Sequence, residues 1–280
     1  MKIFLTGGTG FVGSHFLRVA LAGGHEVIAQ RRCPESRPRL WLEREPSWLD
    51  VPLDAIEAEH LGGCDCVVHL AAHTANVPYD SFGNCFYWNV QAVIRLFEKA
   101  IKAGVEKWIV AGSSFEYGTS AERYEFIPVT APLAPVGSYP ASKAAASVAL
   151  RGLGAQFGCR LLIGRIFQVY GEGESASRLW PSLREAALSG GDLPMTAGEQ
   201  IRDFISVEEV AAYFLRAAEA NELEPGSPVI ENVGSGRPES IRNFAEHWWA
   251  HWGAKGRLLI GEVPYRENEV MRYVPEVRGV

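Results

Sequence analysis

The chain has 280 residues, 47% of them hydrophobic, and its 27 basic and 33 acidic side chains give a formal net charge of −6. This composition is that of an average globular protein, and a chain of this length can bury a large core without disulfide bonds. Mild acidity argues against nucleic-acid and membrane partners, because either would require a basic field. No apolar run approaches the ~18 residues of a membrane span, and no signal-peptide core precedes Thr6, so we expect a cytoplasmic protein.

The cysteines are five in number and irregularly spaced: Cys33, Cys64, Cys66, Cys85 and Cys159. An odd set of this kind suits a reducing compartment. Cys64 and Cys66 have no second Cys or His pair at zinc spacing, and Cys66 opens an apolar run. We therefore interpret the thiols as buried or incidental and predict no metal site.

In chain order, the first elements are a strand at 2–6, a helix from Phe11 with apolar residues at helical spacing, and a strand at 26–30. The same alternation continues with strands predicted at 46–50, 66–71, 107–112 and 160–166, and with helices at 53–61, 82–103 and 140–157. Nearly continuous apolar strands that alternate with helices indicate a doubly wound α/β fold, a parallel Rossmann sheet covered on both faces.

After residue 168 the connections become rich in Gly, Ser and Pro, and short helices are predicted at 178–189, 207–220 and 239–252. We predict a dinucleotide-binding Rossmann domain over 1–168 and a smaller C-terminal α/β substrate lobe over 169–280, with some segments returning to the sheet. Phe244, Trp248 and Trp252 share one face of the last helix, so this aromatic cluster is predicted to face the core.

The turn after the first strand, residues 6–13 (TGGTGFVG), fits both G-x-x-G-x-x-G and G-x-G-x-x-G. Glycines permit a tight turn and close approach to a pyrophosphate, while the helix N-terminus supplies amides and a positive dipole. The strand before the turn and the helix after it make this short motif informative. The predicted cofactor contacts in this turn are Gly7, Gly10, Phe11, Val12 and Gly13.

The end of the second strand distinguishes the two nicotinamide cofactors. An NAD site usually places Asp or Glu there, whereas an NADP site places Arg near the 2′-phosphate. This chain has Arg31 and Arg32 at that point, and we expect no carboxylate there that would repel a phosphate. We therefore favour NADP(H) over NAD(H), with a solvated turn as the alternative for the two arginines.

Tyr139 and Lys143 form a Y-x-x-x-K pair, which on a helix places the phenol and the ammonium one turn apart. A nearby Lys⁺ is expected to lower the pKa of the phenol, so that the tyrosine can exchange a proton near neutral pH. Ser113 ends a predicted strand and could join this pair.

These motifs together resemble the extended short-chain dehydrogenase/reductases, the NAD-dependent epimerase/dehydratase family that acts on nucleotide sugars. Other matching pieces are Asp65 with 69–72 (HLAA), Asn89, Ser113-Ser114 before Tyr117-Gly118, 165–171 (RIFQVYG) and 202–204 (RDF) before 207–210 (VEEV). The resemblance implies that Ser113 hydrogen-bonds a sugar oxygen, that Tyr139 transfers the proton, and that Lys143 tunes Tyr139 and holds the nicotinamide ribose.

The resemblance also implies further contacts with both ligands. Those with the cofactor are Asp50, Val51, Leu70, Ala71, Ala72 and Asn89; those with a nucleotide-diphosphate sugar are Ser114, Gln168, Arg178, Arg202 and Arg266. Asp50 would contact the adenosine, and Arg202 and Arg266 the diphosphate; a surface role remains open for Asp50 and Arg266. Family members dimerise through two long helices, here 82–103 and 140–157, so we expect a homodimer.

Departures from the family pattern narrow the reaction. Family dehydratases carry Thr-Asp-Glu where this chain has Ser113, Ser114 and Phe115, and Glu116 is expected to point to the other side of an extended segment, so dehydration is disfavoured. The 165–174 segment looks most like the 4-ketoreductases of CDP- and dTDP-6-deoxyhexoses. We predict an NADP(H)-dependent reductase of a nucleotide-linked 4-keto-6-deoxy sugar. The alternatives are a nucleotide-sugar 4-epimerase with tightly bound NAD and a non-catalytic NADP-sensing or RNA-binding member of the fold.

Overall fold

A computed structural model describes residues 1–266 and 269–277. Its strands are β1 (Lys2–Thr6), β2 (Glu26–Arg31), β3 (Ser47–Asp50), β4 (Cys66–His69), β5 (Lys107–Ser113), β6 (Arg160–Ile166), β7 (Gln168–Tyr170), β8 (Leu193–Met195), β9 (Ile201–Ser206), β10 (Val229–Val233), β11 (Pro238–Ser240), β12 (Leu258–Ile260) and β13 (Arg272–Tyr273). Its α-helices are α1 (Phe11–Ala22), α2 (Phe82–Phe86), α3 (Ala92–Lys102), α4 (Ser138–Gln156), α5 (Leu179–Ser189), α6 (Val207–Glu219) and α7 (Ile241–His251).

Seven parallel strands form the central sheet, in the order β10-β6-β5-β4-β1-β2-β3. Because side chains alternate along a strand, Ile3 and Leu5 belong to the core under α1 and α6, whereas Phe4 belongs to the core under α3 and α4. Burial on both faces explains the nearly continuous apolar strands. The predicted doubly wound Rossmann fold is confirmed.

The C-terminal part of the chain contributes to this sheet as well as to a smaller lobe. β10 pairs in parallel with β6, with Ile230 opposite Ile163, and so adds a late strand to the central sheet. The lobe contains a four-stranded sheet in which β9 pairs with β7, β11 and β13, and a two-stranded sheet of β8 and β12. Phe244 is buried and Trp248 and Trp252 pack on the same cluster, as the spacing predicted.

Two predicted helices differ from the structure. The segment predicted as a helix over 53–61 is two 3₁₀ turns, Leu53–Ala55 and Ala58–Leu61, separated by Ile56 in an extended conformation that buries its side chain. The segment predicted over 82–103 is helical but contains a π-helical stretch, Tyr87–Gln91, between α2 and α3. In the described part of the chain, no helix is both long and apolar enough to cross a membrane.

Candidate active site

A cleft of about 1870 Å³ runs along the carboxyl ends of the sheet strands and continues under the smaller lobe. It lies where the strand order reverses on either side of β1, the position at which open α/β sheets bind ligands. The predicted site residues that line it are Gly7, Gly10, Phe11, Val12, Gly13, Arg31, Arg32, Leu70, Ala71, Ala72, Asn89, Ser113, Ser114, Tyr139, Lys143, Gln168, Arg178, Arg202 and Arg266. Two predicted cofactor contacts, Asp50 and Val51, are not among the residues that line the cleft.

The glycine turn is packed so closely that side chains are excluded. Gly7 has φ +81°, and a Cβ there would lie 2.5 Å from the Ala71 amide nitrogen; a Cβ at Gly13 would lie 2.0 Å from the Gly7 carbonyl oxygen. Gly10 precedes α1 without any side-chain cap, so the first turn of the helix faces the cleft with its amides uncovered. This bare cradle fits the pyrophosphate of a dinucleotide.

The adenosine end of the cleft contains a carboxylate that was not expected beside Arg31. Arg31 and Asp50 lie opposite each other on β2 and β3, and the Arg31 Nε donates to Asp50 Oδ1 at 2.5 Å. The expectation that no carboxylate is present at this strand end was therefore wrong. Pairing of β2 with β3 places Asp50, which is 19 residues later in the chain, beside Arg31. The Arg31 guanidinium also lies 4.5 Å from the Trp48 ring centre, and its Nη1 is buried without a hydrogen-bond partner.

Ser113, Tyr139 and Lys143 meet in the middle of the cleft. Burial raises the pKa of the Tyr139 phenol, and a hydrogen bond with Ser113 lowers it in part. Lys143 Nζ donates to the Ala111 carbonyl at 2.8 Å, and burial lowers the pKa of this ammonium. Burial thus shifts the phenol pKa in the direction opposite to the one expected from a neighbouring Lys143.

Glu116 lies directly beneath the site rather than across an extended segment. Ser114–Glu116 form a 3₁₀ turn, so the expectation of an extended chain here was wrong. The fully buried Glu116 carboxylate accepts from the Ser113 backbone amide and from Arg165 Nε, each at 2.9 Å. Both oxygens are engaged with the protein, so Glu116 fixes the position of Ser113.

Asn89 lines the cleft, but its amide is used by protein atoms. Its Oδ1 accepts from the His73 backbone at 2.7 Å, and its Nδ2 donates to Ser142 Oγ at 2.9 Å and to the His73 carbonyl at 3.2 Å. The π-helical stretch that contains Asn89 turns it toward these partners. Asn89 therefore joins the segment after β4 to α4.

Two of the arginines that were assigned to the substrate are paired with carboxylates in this structure. Arg202 Nη2 donates to Glu269 Oε1 at 2.9 Å, and Arg178 Nε donates to Glu174 Oε1 at 3.4 Å. Arg266 is exposed at the rim of the same cleft. Three arginines, two of them paired with carboxylates, thus line the cleft where it passes under the smaller lobe.

Sequence reasoning missed two residues of the cleft. The Tyr79 ring lies 5.5 Å from the Tyr139 ring, centre to centre. Glu174 is almost fully buried, its Oε2 has no hydrogen-bond partner, and burial raises its pKa to about 7. Neither residue belongs to a sequence motif. For Tyr79, the sequence feature that could have pointed to the cleft is an aromatic residue between the end of a strand and the start of a helix.

A glycine turn after the first strand, a Ser-Tyr-Lys set in the cleft and a seven-stranded parallel sheet define an extended short-chain dehydrogenase/reductase. The chain matches the NAD dependent epimerase/dehydratase family over residues 3–234 and belongs to that family.

Three similar proteins come from this group. The UDP-glucose 4-epimerase of Corynebacterium glutamicum is 27% identical over 265 residues, covering 88% of this chain and 79% of the relative. The structure of TunA, an NAD-dependent NDP-hexosamine 5,6-dehydratase involved in tunicamycin biosynthesis, superimposes with a TM-score of 0.81 at 29% identity, covering 98% of this chain and 88% of that one. MoeE5 in complex with UDP-glucuronic acid and NAD gives a TM-score of 0.83 at 26% identity, covering 99% and 90%.

Proposed function

We propose that the protein is a nucleotide-sugar 4-epimerase that works with bound NAD. The observation that carries the proposal is the meeting of Ser113, Tyr139 and Lys143 in a cleft that joins a dinucleotide cradle to a cationic lobe. Similarity to a UDP-glucose 4-epimerase favours epimerisation over the ketoreductase predicted from the sequence. The homodimer and the division at residue 168 stay predictions.

Each residue of the set has a role that follows from its surroundings. Tyr139 takes the proton of the sugar 4-hydroxyl when C4 is oxidised, and returns it after C4 is reduced on its opposite face. Ser113, held from below by Glu116, donates to the same sugar oxygen. The buried Lys143 ammonium, which donates to the Ala111 carbonyl, would bind the ribose of the nicotinamide. A bound oxidised nicotinamide would supply the hydride acceptor and a positive charge that favours the phenolate.

Asp50 supports NAD over NADP. Its carboxylate lies at the edge where a ribose 2′-hydroxyl is usually held, and it would repel a 2′-phosphate. Asp50 also engages Arg31, which reduces the positive charge available to a phosphate. The NAD that accompanies a UDP-sugar in MoeE5 agrees with this choice.

A 4-ketoreductase that uses NADPH is the second candidate. It is favoured by the unpartnered Arg31 Nη1 and by Arg32, both at the adenosine end of the cleft. A protonated Tyr139 also suits a residue that starts as a proton donor. Dehydration has less support, because Ser114 and Phe115 offer no carboxyl group beside Tyr139.

The test incubates the purified protein with UDP-, dTDP-, CDP- and GDP-linked hexoses and separates the products by chromatography and mass spectrometry. A 4-epimer of unchanged mass, formed without net consumption of NAD(H), is expected. Stoichiometric oxidation of NADPH by a 4-keto-6-deoxy sugar would establish the second candidate instead, and loss of water would establish dehydration. Tyr139→Phe should lower turnover by about 10²-fold or more, whereas Tyr87→Phe, outside the cleft, should not.

A further inference from the structure

Tyr79 is held firmly although it lies in the connection between β4 and α2. The neighbouring Asp80 carboxylate accepts from His73 Nε2 at 2.8 Å and from Asn84 Nδ2 at 3.0 Å. The Asp80 carbonyl accepts from Ser138 Oγ at 2.6 Å, which ties the segment to the start of α4. Tyr79 is thus followed directly by a residue that is anchored to three other parts of the chain.

The ring of Tyr79 forms a wall of the cleft beside the proton-transfer group. It lies against the Tyr139 ring at an interplanar angle of 32°. A Cβ at Gly137 would lie 3.4 Å from the Tyr79 ring, so this glycine leaves room for the ring at the start of α4. Tyr79 and Tyr139 therefore line the same part of the cleft.

The hydroxyl of Tyr79 has no protein hydrogen-bond partner among the residues that the structure describes. Burial raises the pKa of this phenol, and the charges of Arg178 and Arg266 act against that rise. Tyr79 lines the same cleft as the reacting tyrosine and these two arginines. A half-buried phenol of this kind usually finds a polar partner, and an anionic oxygen would satisfy the phenol and both arginines.

We propose that Tyr79 binds the substrate by donating a hydrogen bond from its hydroxyl to the sugar-proximal phosphate of a nucleoside diphosphate sugar. This inference rests on the proposed function, since it takes Tyr139 as the group that meets the sugar. The phosphate oxygen would be shared with Arg178 and Arg266, and the ring would support the sugar over Tyr139. The residue thereby sets the distance between the diphosphate and the reacting carbon.

The test compares Tyr79→Phe with the wild type, because phenylalanine keeps the ring and removes only the hydroxyl. Calorimetry measures the affinity for UDP, dTDP, CDP and GDP and for the matching monophosphates, which lack the sugar-proximal phosphate. The variant should bind the preferred diphosphate about fivefold to tenfold more weakly and the monophosphate equally well. Its KM for the sugar nucleotide should rise by a similar factor with little change in kcat.

Three results would contradict the inference. Unchanged affinity of Tyr79→Phe for the diphosphate would mean that the ring only packs on Tyr139. Equal losses for diphosphate and monophosphate would place the effect away from that phosphate. A wild type that binds none of the diphosphates would overturn the proposed function as well. Tyr87→Phe, whose hydroxyl donates to Asp54 outside the cleft, is the matched control and should bind like the wild type.

Discussion

At the scale of single residues, the site contains two carboxylates whose arginine partners come from distant parts of the chain. Glu116 ends a turn just after β5, yet it is neutralised by Arg165 from β6. Asp50 meets Arg31 only because β2 and β3 pair in that register. The sequence motifs predicted that Ser113, Tyr139 and Lys143 share a site. They could not predict these ion pairs, because each arises from strand pairing between residues far apart in the chain.

The buried carboxyl group of Glu174 predicts how the stability of the fold depends on pH. Burial raises its pKa from 4.5 to about 7, so the native state holds the proton more tightly than the unfolded chain does. The protonated form stabilises the fold fully below about pH 4.5, and this contribution is lost as the pH rises through 7. Glu174→Gln mimics the protonated form. Its melting temperature should therefore exceed that of the wild type at pH 8, and the difference should vanish near pH 4.5.

The control for this experiment is Glu185→Gln, on the exposed side of α5. Its melting temperature should follow the wild type across the same pH range. Thermal denaturation monitored by circular dichroism at several pH values measures both variants. A constant difference between Glu174→Gln and the wild type from pH 5 to 8 would show that the carboxyl does not titrate in this range.

At the scale of elements, the strands were predictable because each is a short apolar run buried on both faces. The helix predicted over 53–61 failed because Ile56 enters the core in an extended conformation, which periodicity does not reveal. The π-helical stretch was equally hidden. Its five residues continue the helix in the same direction but change which side chains face α4. This change is needed only for packing against α4, so the sequence pattern does not reveal it.

The π-helical stretch predicts a large cost for losing Asn89. Asn89→Ala removes three hydrogen bonds and leaves the His73 backbone amide and carbonyl without their Asn89 partners, so the free energy of unfolding should fall by about 2–4 kcal/mol. Gln91→Ala, on the exposed side of the same stretch, should change it by less than about 0.5 kcal/mol. Urea denaturation measures both variants. Equal stabilities for the two would mean that the Asn89 hydrogen bonds contribute little.

At the scale of the whole molecule, the order of functions along the chain was predictable. The dinucleotide cradle comes first, the Ser-Tyr-Lys set follows, and the cationic part of the cleft lies in the later residues. Contacts that join these regions were not predictable. Arg39 Nη1, for instance, donates to the Gly173 carbonyl at 2.9 Å and so connects the segment after β2 to the start of the smaller lobe.

Cofactor choice can be tested on the stability of the whole protein. A ligand that binds only the native state raises the melting temperature, and at equal concentration the tighter ligand raises it more. We expect NAD to raise it more than NADP does at equal concentration. Asp50→Asn removes the repelling charge and frees Arg31, so the variant should respond more strongly to NADP than the wild type does. A wild type stabilised mainly by NADP would contradict the role given to Asp50.

The return of β10 to the central sheet has a consequence for any attempt to separate the two regions. β6 pairs with β10 from Leu162 to Ile166, and β10 lies more than sixty residues later in the chain. A fragment ending at residue 168 would expose one side of β6 as a row of unpaired amides and carbonyls, a template for intermolecular pairing. Residues 167–228, which carry β7, β8 and β9 of the smaller lobe, are therefore inserted between two neighbouring strands of the central sheet, and the nucleotide-binding half requires the later chain to protect its own edge.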